Sequence, residues 1–212
     1  MTINHKTVAK LMKEMGLFCQ VRKKKYSAFK THMADTMAPN ILNRDFHAEA
    51  PDRKWVTDVT EFNIHGKKIF LSVLLDLFNR EVRAYSIDDR PSFKLVQDMM
   101  KDAIDSFNGR RGLLIHSDQG WQYHHKEYVK LLRNRGFIQS MSRKATCLDN
   151  AVIESFFAIL KSEFYYLQEF ASVEEFINEL NNYIYYYNHI RISERLNGLT
   201  PVLFRTLHTY SS

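Results

Sequence analysis

Residues 149–161 read Asp-Asn-Ala-Val-Ile-Glu-Ser-Phe-Phe-Ala-Ile-Leu-Lys, and the rest of the chain is organised around this stretch. At 3.6 residues per turn, its polar and small residues fall on one narrow stripe, which consists of Asn150, Glu154, Ala158 and Lys161. Apolar side chains cover the other faces: Val152, Ile153, Phe156, Phe157 and Leu160. The pattern predicts a mostly buried helix that presents one acid and one base, with a small alanine between them that leaves room for a bulky ligand.

The composition is that of a folded protein. A chain of 212 residues with 45% hydrophobic and 13% aromatic residues can form one sizeable domain and an appendage. Its two cysteines, Cys19 and Cys147, are far apart and lack the spacing of a zinc site or a disulfide framework. No apolar run reaches the roughly 18–20 residues that span a bilayer, and the first residues lack the apolar stretch of a signal peptide. We therefore expect a soluble, cytoplasmic protein without a membrane partner.

The positive charge is concentrated at the front of the chain. The formal net charge is +6, and residues 1–54 contain eleven Lys or Arg against five Asp or Glu, whereas residues 55–212 contain nineteen of each sign. The densest basic run is Arg22, Lys23, Lys24 and Lys25. This distribution predicts that the front of the chain contacts the phosphate backbone of a nucleic acid. For the run taken alone, a solvated surface segment is the alternative.

The order of hydrophobic patterns predicts a mixed α/β fold. Three strand-like segments, separated by short turns, indicate an antiparallel meander over residues 55–62, 68–77 and 81–87. Helical and strand-like segments then alternate: helix 91–107, strand 113–116, helix 125–135, strand 137–140, the helix quoted above, and a last helix over 173–187. This order predicts a sheet in which two parallel strands join the meander, with helices on its faces.

The remaining segments suggest three regions. Residues 4–15 form an amphipathic pattern that ends at Gly16, and so short a helix requires a partner to cover its apolar face. We predict a small, basic helical arm and linker over residues 1–50, the α/β core over 51–168, and a C-terminal helix and tail packed on the core over 169–212.

Three acids occur where this fold would bring them together. Asp58 interrupts the first strand, Asp118 follows the fourth strand, and Glu154 lies in the late helix. Adjacent carboxylates cannot all ionise without a cation, and oxygen ligands suit Mg²⁺ or Mn²⁺. A pair of such ions supports phosphodiester chemistry. Each acid also has a simpler explanation: an exposed strand position, a turn residue, and a charge that complements a helix dipole.

Four motifs together resemble a known family. They are Trp55-x-Thr57-Asp58, His116-Ser117-Asp118-Gln119-Gly120, the stretch 149–161 with its Asp-Asn-Ala-x-x-Glu, and Tyr187-Asn188-x-x-Arg191 followed by Thr200-Pro201. In combination they resemble the DDE transposases of bacterial insertion sequences, in the group called the IS-three family, whose catalytic frame is similar to retroviral integrase. The resemblance covers about residues 53–205.

The resemblance implies a ribonuclease H-like fold and a metal-dependent enzyme that cleaves DNA 3′ ends and transfers strands. Asp58, Asp118 and Glu154 would be the catalytic acids and would bind two Mg²⁺ or Mn²⁺ ions. Lys161 would contact transposon-end DNA. Two neighbouring residues are candidates for supporting the acids: His116, which could equally be a packed structural histidine, and Asn150, for which helix capping is an equal explanation.

The resemblance also implies partners: double-stranded DNA of the element ends and the target, and further copies of the chain in an oligomer on that DNA. Residues 1–45 resemble the tail of a helix-turn-helix-like segment, and the product of an upstream frame could be fused there by frameshifting. A metal-dependent nuclease of the same fold and a catalytically silent, truncated DNA-binding regulator are the alternatives. A tyrosine recombinase is excluded because none of the nine histidines has Arg three residues later.

Overall fold

A five-stranded sheet forms the centre of the protein. The computed structural model describes residues 4–17, 38–107, 111–144 and 146–209, so the basic run Arg22–Lys25 lies outside the described residues. The strands are β1 (Lys54–Ile64), β2 (Lys67–Asp76), β3 (Val82–Asp88), β4 (Leu114–Ser117) and β5 (Ile138–Met141). Their order is β3-β2-β1-β4-β5; the first three are antiparallel, and β4 and β5 run parallel to β1. The predicted meander with two added parallel strands is confirmed.

Tight turns close the meander at both ends. His65 and Gly66 connect β1 to β2 with φ of 50° and 82°, the left-handed values that two-residue hairpin turns require. Arg80, between β2 and β3, has a φ of 62°, which is unfavourable for a side chain of its size. The last eight residues of β2 are all buried, as expected of a strand covered on both faces.

Six α-helices occur in the described residues. They are α1 (His5–Glu14), α2 (Phe93–Asp105), α3 (Lys126–Arg135), α4 (Ala151–Leu160), α5 (Val173–His189) and α6 (Pro201–Thr209). One core cluster joins α2 and α3 to one face of the sheet, and a second joins α4 and α5 to the opposite face. This second cluster lies under the helix quoted at the start, whose Ile153, Phe156, Phe157 and Leu160 are buried as predicted.

The C-terminal region contains more helix than the hydrophobic pattern indicated. The sequence predicted that the last helix would span residues 173–187, but α5 continues to His189, and α6 follows it. Pro201 is the first residue of α6, a position where proline is favoured because its missing N–H has no partner to lose. The helix was missed because ion pairs from Arg205 to acids at one end of the sheet, rather than a long apolar stripe, hold it in place.

The N-terminal helix α1 is amphipathic, as its sequence predicted. None of its residues is buried, so its apolar face is uncovered by the described part of the chain. Among the described residues, no helix is long and apolar enough to cross a membrane.

Candidate active site

Asp58 and Asp118 lie side by side at the point where two parallel strands separate. The pairing of β1 with β4 runs from Lys54 and Leu114 to Thr57 and Ser117, so Asp58 and Asp118 are the next residue of each strand. Neighbouring strands are about 4.8 Å apart. The predicted neighbourhood of the first and fourth strands is therefore confirmed, and it brings the two acids together.

Strand alternation turns Asp58 toward α4. Val56 belongs to the core cluster that includes α4, whereas Thr57 faces Met99 of α2, with its Oγ1 3.8 Å from the Met99 sulfur. Successive side chains alternate between the faces of a strand, so Asp58 points to the same face as Val56. That is the face on which α4 carries Glu154.

Backbone amides orient both aspartates. The N–H of Val59 donates to Asp58 Oδ1 at 2.7 Å, and the N–H of Gly120 donates to Asp118 Oδ1 at 2.8 Å. A side chain at position 120 would meet Asp118, because an added Cβ would lie 2.9 Å from Oδ1. The glycine of the His-Ser-Asp-Gln-Gly motif thus permits the close approach of the amide. In the described residues, no hydrogen bond uses the Oδ2 atom of either aspartate.

The three acids lie within electrostatic range of one another. Burial, together with the nearby charges of Asp118 and Glu154, raises the pKa of Asp58 well above its usual range. Burial raises the pKa of Asp118, and partial burial with the Asp118 charge raises that of Glu154. In the part of the chain that the structure describes, none of the three forms an ion pair with Lys or Arg. An opposite charge close to such acids favours their ionised form.

Lys161 lies on the same side of the sheet, beyond the end of α4. It begins one turn of π-helix, Lys161–Tyr165, and its Nζ lies 5.2 Å from the centre of the Phe62 ring. Partial burial lowers the pKa of Lys161, while the negative charges of Glu61 and Asp58 act in the opposite direction. Its charge is therefore held within electrostatic range of Asp58.

Asp149 anchors the start of α4, a role that sequence reasoning missed. Its fully buried carboxylate accepts hydrogen bonds from Arg44 Nε at 2.7 Å, from Asn40 Nδ2 at 2.8 Å and from Arg143 Nε at 2.9 Å. These bonds, above all those from Arg143, hold the pKa of Asp149 well below its usual range. The nearby Arg143 was a weak signal in the sequence, whereas Arg44 and Asn40, more than a hundred residues away, gave none.

His116 is buried two residues before Asp118. Its Nδ1 lies 2.9 Å from Ser140 Oγ, which also accepts the backbone N–H groups of Ile41 and Leu42. The Ser140 hydroxyl therefore donates its proton to Nδ1, and the imidazole carries its own proton on Nε2. Burial lowers the pKa of His116 to about 4, so this side chain is neutral at pH 7.

Two further residues lie near the site: Asn150, which the sequence indicated as a candidate, and His124, which it did not. Asn150 occupies the position before α4 and is 4% exposed, but its side chain makes no capping hydrogen bond. His124 lies in a short 3₁₀ helix after the Asp118 loop, close enough for its electrostatic interaction with Asp118 to lower the pKa of that acid. No sequence pattern distinguishes His124 from the other eight histidines.

The donor atoms suit a hard divalent cation. Among the described residues, no group of three His, Cys, Asp or Glu side chains is already arranged to hold a metal ion. The three acids nevertheless supply only carboxylate oxygens, and two of these acids are adjacent. Burial, more than any neighbouring charge, raises their pKa values. Mg²⁺ and Mn²⁺ prefer such oxygen ligands and keep several waters of their own.

The sheet order and the helices on both faces define a ribonuclease H-like catalytic core of the integrase type. Two solved structures share this fold. The HTLV-2 integrase catalytic core domain in complex with magnesium matches with a TM-score of 0.61 and 19% identity, and the match covers 74% of this chain and 98% of that chain. The catalytic core domain of BIV integrase matches with a TM-score of 0.57 and 16% identity, and the match covers 76% of this chain and 99% of that chain. At this level of identity the likeness concerns the fold alone.

Sequence comparison identifies the family. Two models described as "Integrase core domain" match residues 48–147 and 154–208, and one described as "HTH-like domain" matches residues 1–25. The chain is 47% identical over 203 residues to the putative transposase InsK of insertion sequence element IS150 from Escherichia coli, covering 96% of this chain and 71% of that protein. It is 44% identical over 204 residues to an uncharacterized transposase-like protein of Haemophilus influenzae, covering 96% and 94%. The chain belongs to the insertion-sequence transposases that carry an integrase core.

Proposed function

We propose that Asp58, Asp118 and Glu154 are the catalytic acids with which this transposase cleaves the 3′ ends of its insertion sequence and joins them to a second DNA site. The observation that carries the proposal is the adjacency of Asp58 and Asp118 where β1 and β4 separate, with Glu154 close enough to raise the pKa of Asp58. The family acts as polynucleotidyl transferases, and this is the acidic site that the described core offers for that chemistry.

Asp58 and Asp118 would hold divalent cations, Mg²⁺ or Mn²⁺, and Glu154 would complete the ligands of one of them. When bound, a pair of such ions activates the attacking oxygen and stabilises the leaving oxygen of a phosphodiester. The amides of Val59 and Gly120 keep the two aspartates oriented without occupying their Oδ2 atoms. Glu154 is exposed on the first turns of α4 and can meet a ligand from the solvent side.

The reaction has two steps at one site. Water attacks the phosphorus at the element end, the bond to the 3′ oxygen breaks, and a free 3′ hydroxyl results. That 3′ oxygen then attacks a second phosphodiester, whose own 3′ oxygen leaves as a hydroxyl. Because both nucleophiles come from water or DNA, no side chain becomes attached to the substrate. Lys161 would bind a backbone phosphate beside the acids, a contact that positions DNA without reading its sequence.

Recognition of DNA would be shared with the front of the chain. Residues 1–25 match an HTH-like domain, and the positive charge is concentrated in residues 1–54. Backbone contacts of this kind make binding steeply dependent on salt. Since two element ends must be processed together, we propose that a homo-oligomer assembles on the double-stranded DNA.

Replacing Asp118 with Asn tests the assignment. Loss of one cation-binding carboxylate should reduce cleavage and joining of element-end DNA in Mg²⁺ by at least about 100-fold, because several kcal/mol of charge stabilisation is at stake. Asp118→Asn should keep its affinity for DNA. Asp105→Asn, at an exposed acid that ends α2, is the matched control and should react like the wild type.

Three outcomes would contradict the proposal in different ways. Full activity of Asp118→Asn would remove this residue from the catalytic site. Cleavage without joining by the wild type would indicate a nuclease of the same fold. DNA binding by the wild type without any cleavage in Mg²⁺ or Mn²⁺ would indicate a silent regulator.

A further inference from the structure

A cavity lies beside α4, on the side of this helix away from the three acids. Its volume is about 370 Å³, and its walls come from the start of α4, the end of α5, the β2–β3 turn and the loop before α6. Its lining includes three arginines, Arg80, Arg191 and Arg195, and two serines, Ser155 and Ser193, but no Asp or Glu. The other lining residues are apolar or aromatic, so the cavity combines these five hydrogen-bonding side chains with largely apolar walls and has no anionic group.

Arg80 is the least compensated charge in these walls. It is only 8% exposed, and among its guanidinium atoms Nη2 donates to the Phe46 carbonyl at 3.2 Å, while the buried Nη1 has no acceptor in the described residues. Burial, followed by the neighbouring charge of Arg195, lowers the pKa of Arg80 to about 10. The nearby charge of Asp76 acts in the opposite direction, but it forms no hydrogen bond with the guanidinium in the described residues. A buried guanidinium nitrogen without an acceptor is unfavourable, so Nη1 has the capacity to bind an added anion.

Its backbone supports the same conclusion. Arg80 has a φ of 62°, a conformation that disfavours a large side chain by about 1–2 kcal/mol. The chain thus places a long cation at a strained turn position and directs it into the interior rather than into solvent. Strained positions of this kind concentrate at functional sites.

The two other arginines differ from each other. Arg191 is already paired with Glu163, with Nη2 2.7 Å from Oε1 and Nε 2.8 Å from Oε2. Arg195 is exposed, and in the described part of the chain it has neither an ion pair nor a side-chain hydrogen bond. Arg80 and Arg195 therefore lie near each other, and no Asp or Glu is among the residues that line the cavity.

We propose that this cavity binds a phosphate group of the DNA backbone, with Arg80 and Arg195 as its cationic walls and the hydroxyls of Ser155 and Ser193 as further donors. The proposal rests on the function proposed above, which supplies DNA as the partner. Ser155 follows Glu154 directly in the chain, so the cavity and the catalytic acid flank the same turn of α4. A strand held at Glu154 could extend to this second contact.

Arg195 gives the cleanest test because it is exposed and its loss should not disturb folding. Binding of full-length protein to element-end duplex is measured by fluorescence anisotropy in EDTA, between about 50 and 200 mM salt. For Arg195→Ala, the slope of log affinity against log salt should fall by about 0.9, the value for one lost phosphate contact. Arg195→Lys should restore most of the slope. Arg133→Ala, an exposed arginine of α3 on the opposite face of the sheet, should match the wild type.

Inorganic phosphate provides a direct probe. It should raise the Tm of the wild type by mass action, and raise it less in Arg195→Ala. An unchanged salt slope for Arg195→Ala would overturn the proposal. If the variant also lost self-association while its salt slope stayed intact, the cavity would instead bind a carboxylate of another protein chain. DNA binding in EDTA tests the phosphate site, and cleavage in Mg²⁺ tests the catalytic assignment. Each proposal can therefore fail without the other.

Discussion

At the scale of single residues, Asp58 shows the conflict between stability and function. It lies in a central strand, where a carboxylate is poorly solvated, and two further acids stand close to it. A carboxyl whose pKa is higher in the folded than in the unfolded chain binds more protons when folded. The free energy of unfolding without metal therefore decreases as the pH rises above the ordinary pKa near 3.8.

Asp58→Asn should stabilise the metal-free protein at pH 7 by about 0.5–2 kcal/mol, as often happens when a functional-site charge is removed. The amide oxygen can still accept the Val59 N–H. Urea unfolding in EDTA measures the effect, and the gain should shrink as the pH is lowered toward 4, where the native carboxyl is protonated as well. A gain of the same size at pH 4 and pH 7 would contradict the electrostatic cause. Mg²⁺ should stabilise the wild type more than the variant.

The sequence indicated the three acids as candidates but not the groups around them. Asp58 stood out because an acid is poorly suited to a strand, Asp118 because it follows a strand at the sheet edge where ligands bind, and Glu154 because it lies on a mostly apolar helix. The contact of Asp149 with Arg44 joins segments 105 residues apart, and no periodic pattern reports such a contact. The neutral state of His116 depends in the same way on Ser140 and on its burial, which only the folded chain defines.

At the scale of elements, α4 must be held firmly because its first turns carry Glu154. Its apolar side chains fix one face to the sheet, but apolar packing alone does not fix rotation or sliding. Asp149 supplies the directional restraint, since its carboxylate connects the short 3₁₀ turn Cys147–Asn150, which leads into α4, to the segment 40–44 and to Arg143.

Asp149→Asn should lower the free energy of unfolding by about 1.5–3 kcal/mol, the range for hydrogen bonds to a charged group. The amide keeps one acceptor oxygen, but it loses the negative charge and the oxygen that accepts from Asn40 Nδ2 and Arg143 Nε. It should also lower the rate of cleavage at saturating DNA more than it weakens DNA binding, since the catalytic helix loses its anchor. Unfolding curves and single-turnover cleavage measure the two effects. Asp45→Asn, at an exposed acid paired with Lys54, is the control. An unchanged cleavage rate in the folded variant would contradict the positioning role.

The stability that Asp149 contributes should depend on pH in the opposite sense to that of Asp58. Its pKa is lower in the folded chain than in the unfolded chain. The contribution is therefore fully present above about pH 4 and is lost as the pH falls toward its folded pKa.

Elements were predicted best where apolar residues define them. The meander, α2 and α4 have strong periodic patterns and appeared close to their expected positions. The helix α6 and the π-helical turn at Lys161 depend on ion pairs and on local packing against Phe62, so the pattern alone did not indicate them.

At the scale of the whole molecule, one ionic cluster joins the C-terminal helix to the sheet. Arg205 of α6 pairs with Asp52 at 3.0 Å, with Glu81 at 2.6 Å and with Asp76 at the end of β2. Burial raises the pKa of Asp76 to about 6 even beside this arginine. Asp76 also accepts the backbone N–H groups of Asp52 and Phe78.

Arg205→Ala should lower the free energy of unfolding by about 3 kcal/mol, because it leaves buried acids without their cation. The loss should be smaller at pH 5 than at pH 8, since Asp76 can then take up a proton. Urea unfolding at both pH values measures this. Arg90→Ala, which removes an exposed surface pair with Asp89, should change stability little. Equal losses for the two variants would show that the cluster does not hold α6.

The order of strands across the sheet also bears on how the protein folds. The β1–β2–β3 meander is made of contacts between sequence neighbours, so it can form early and with little loss of chain entropy. Asp58 belongs to this meander. Asp118 reaches Asp58 only when β4 pairs with β1, and Glu154 reaches both only when α4, which begins at Ala151, packs on the sheet. The proposed catalytic centre thus depends on contacts between residues that are distant in sequence, and strand cleavage during refolding would report the closing of these contacts rather than the formation of the meander.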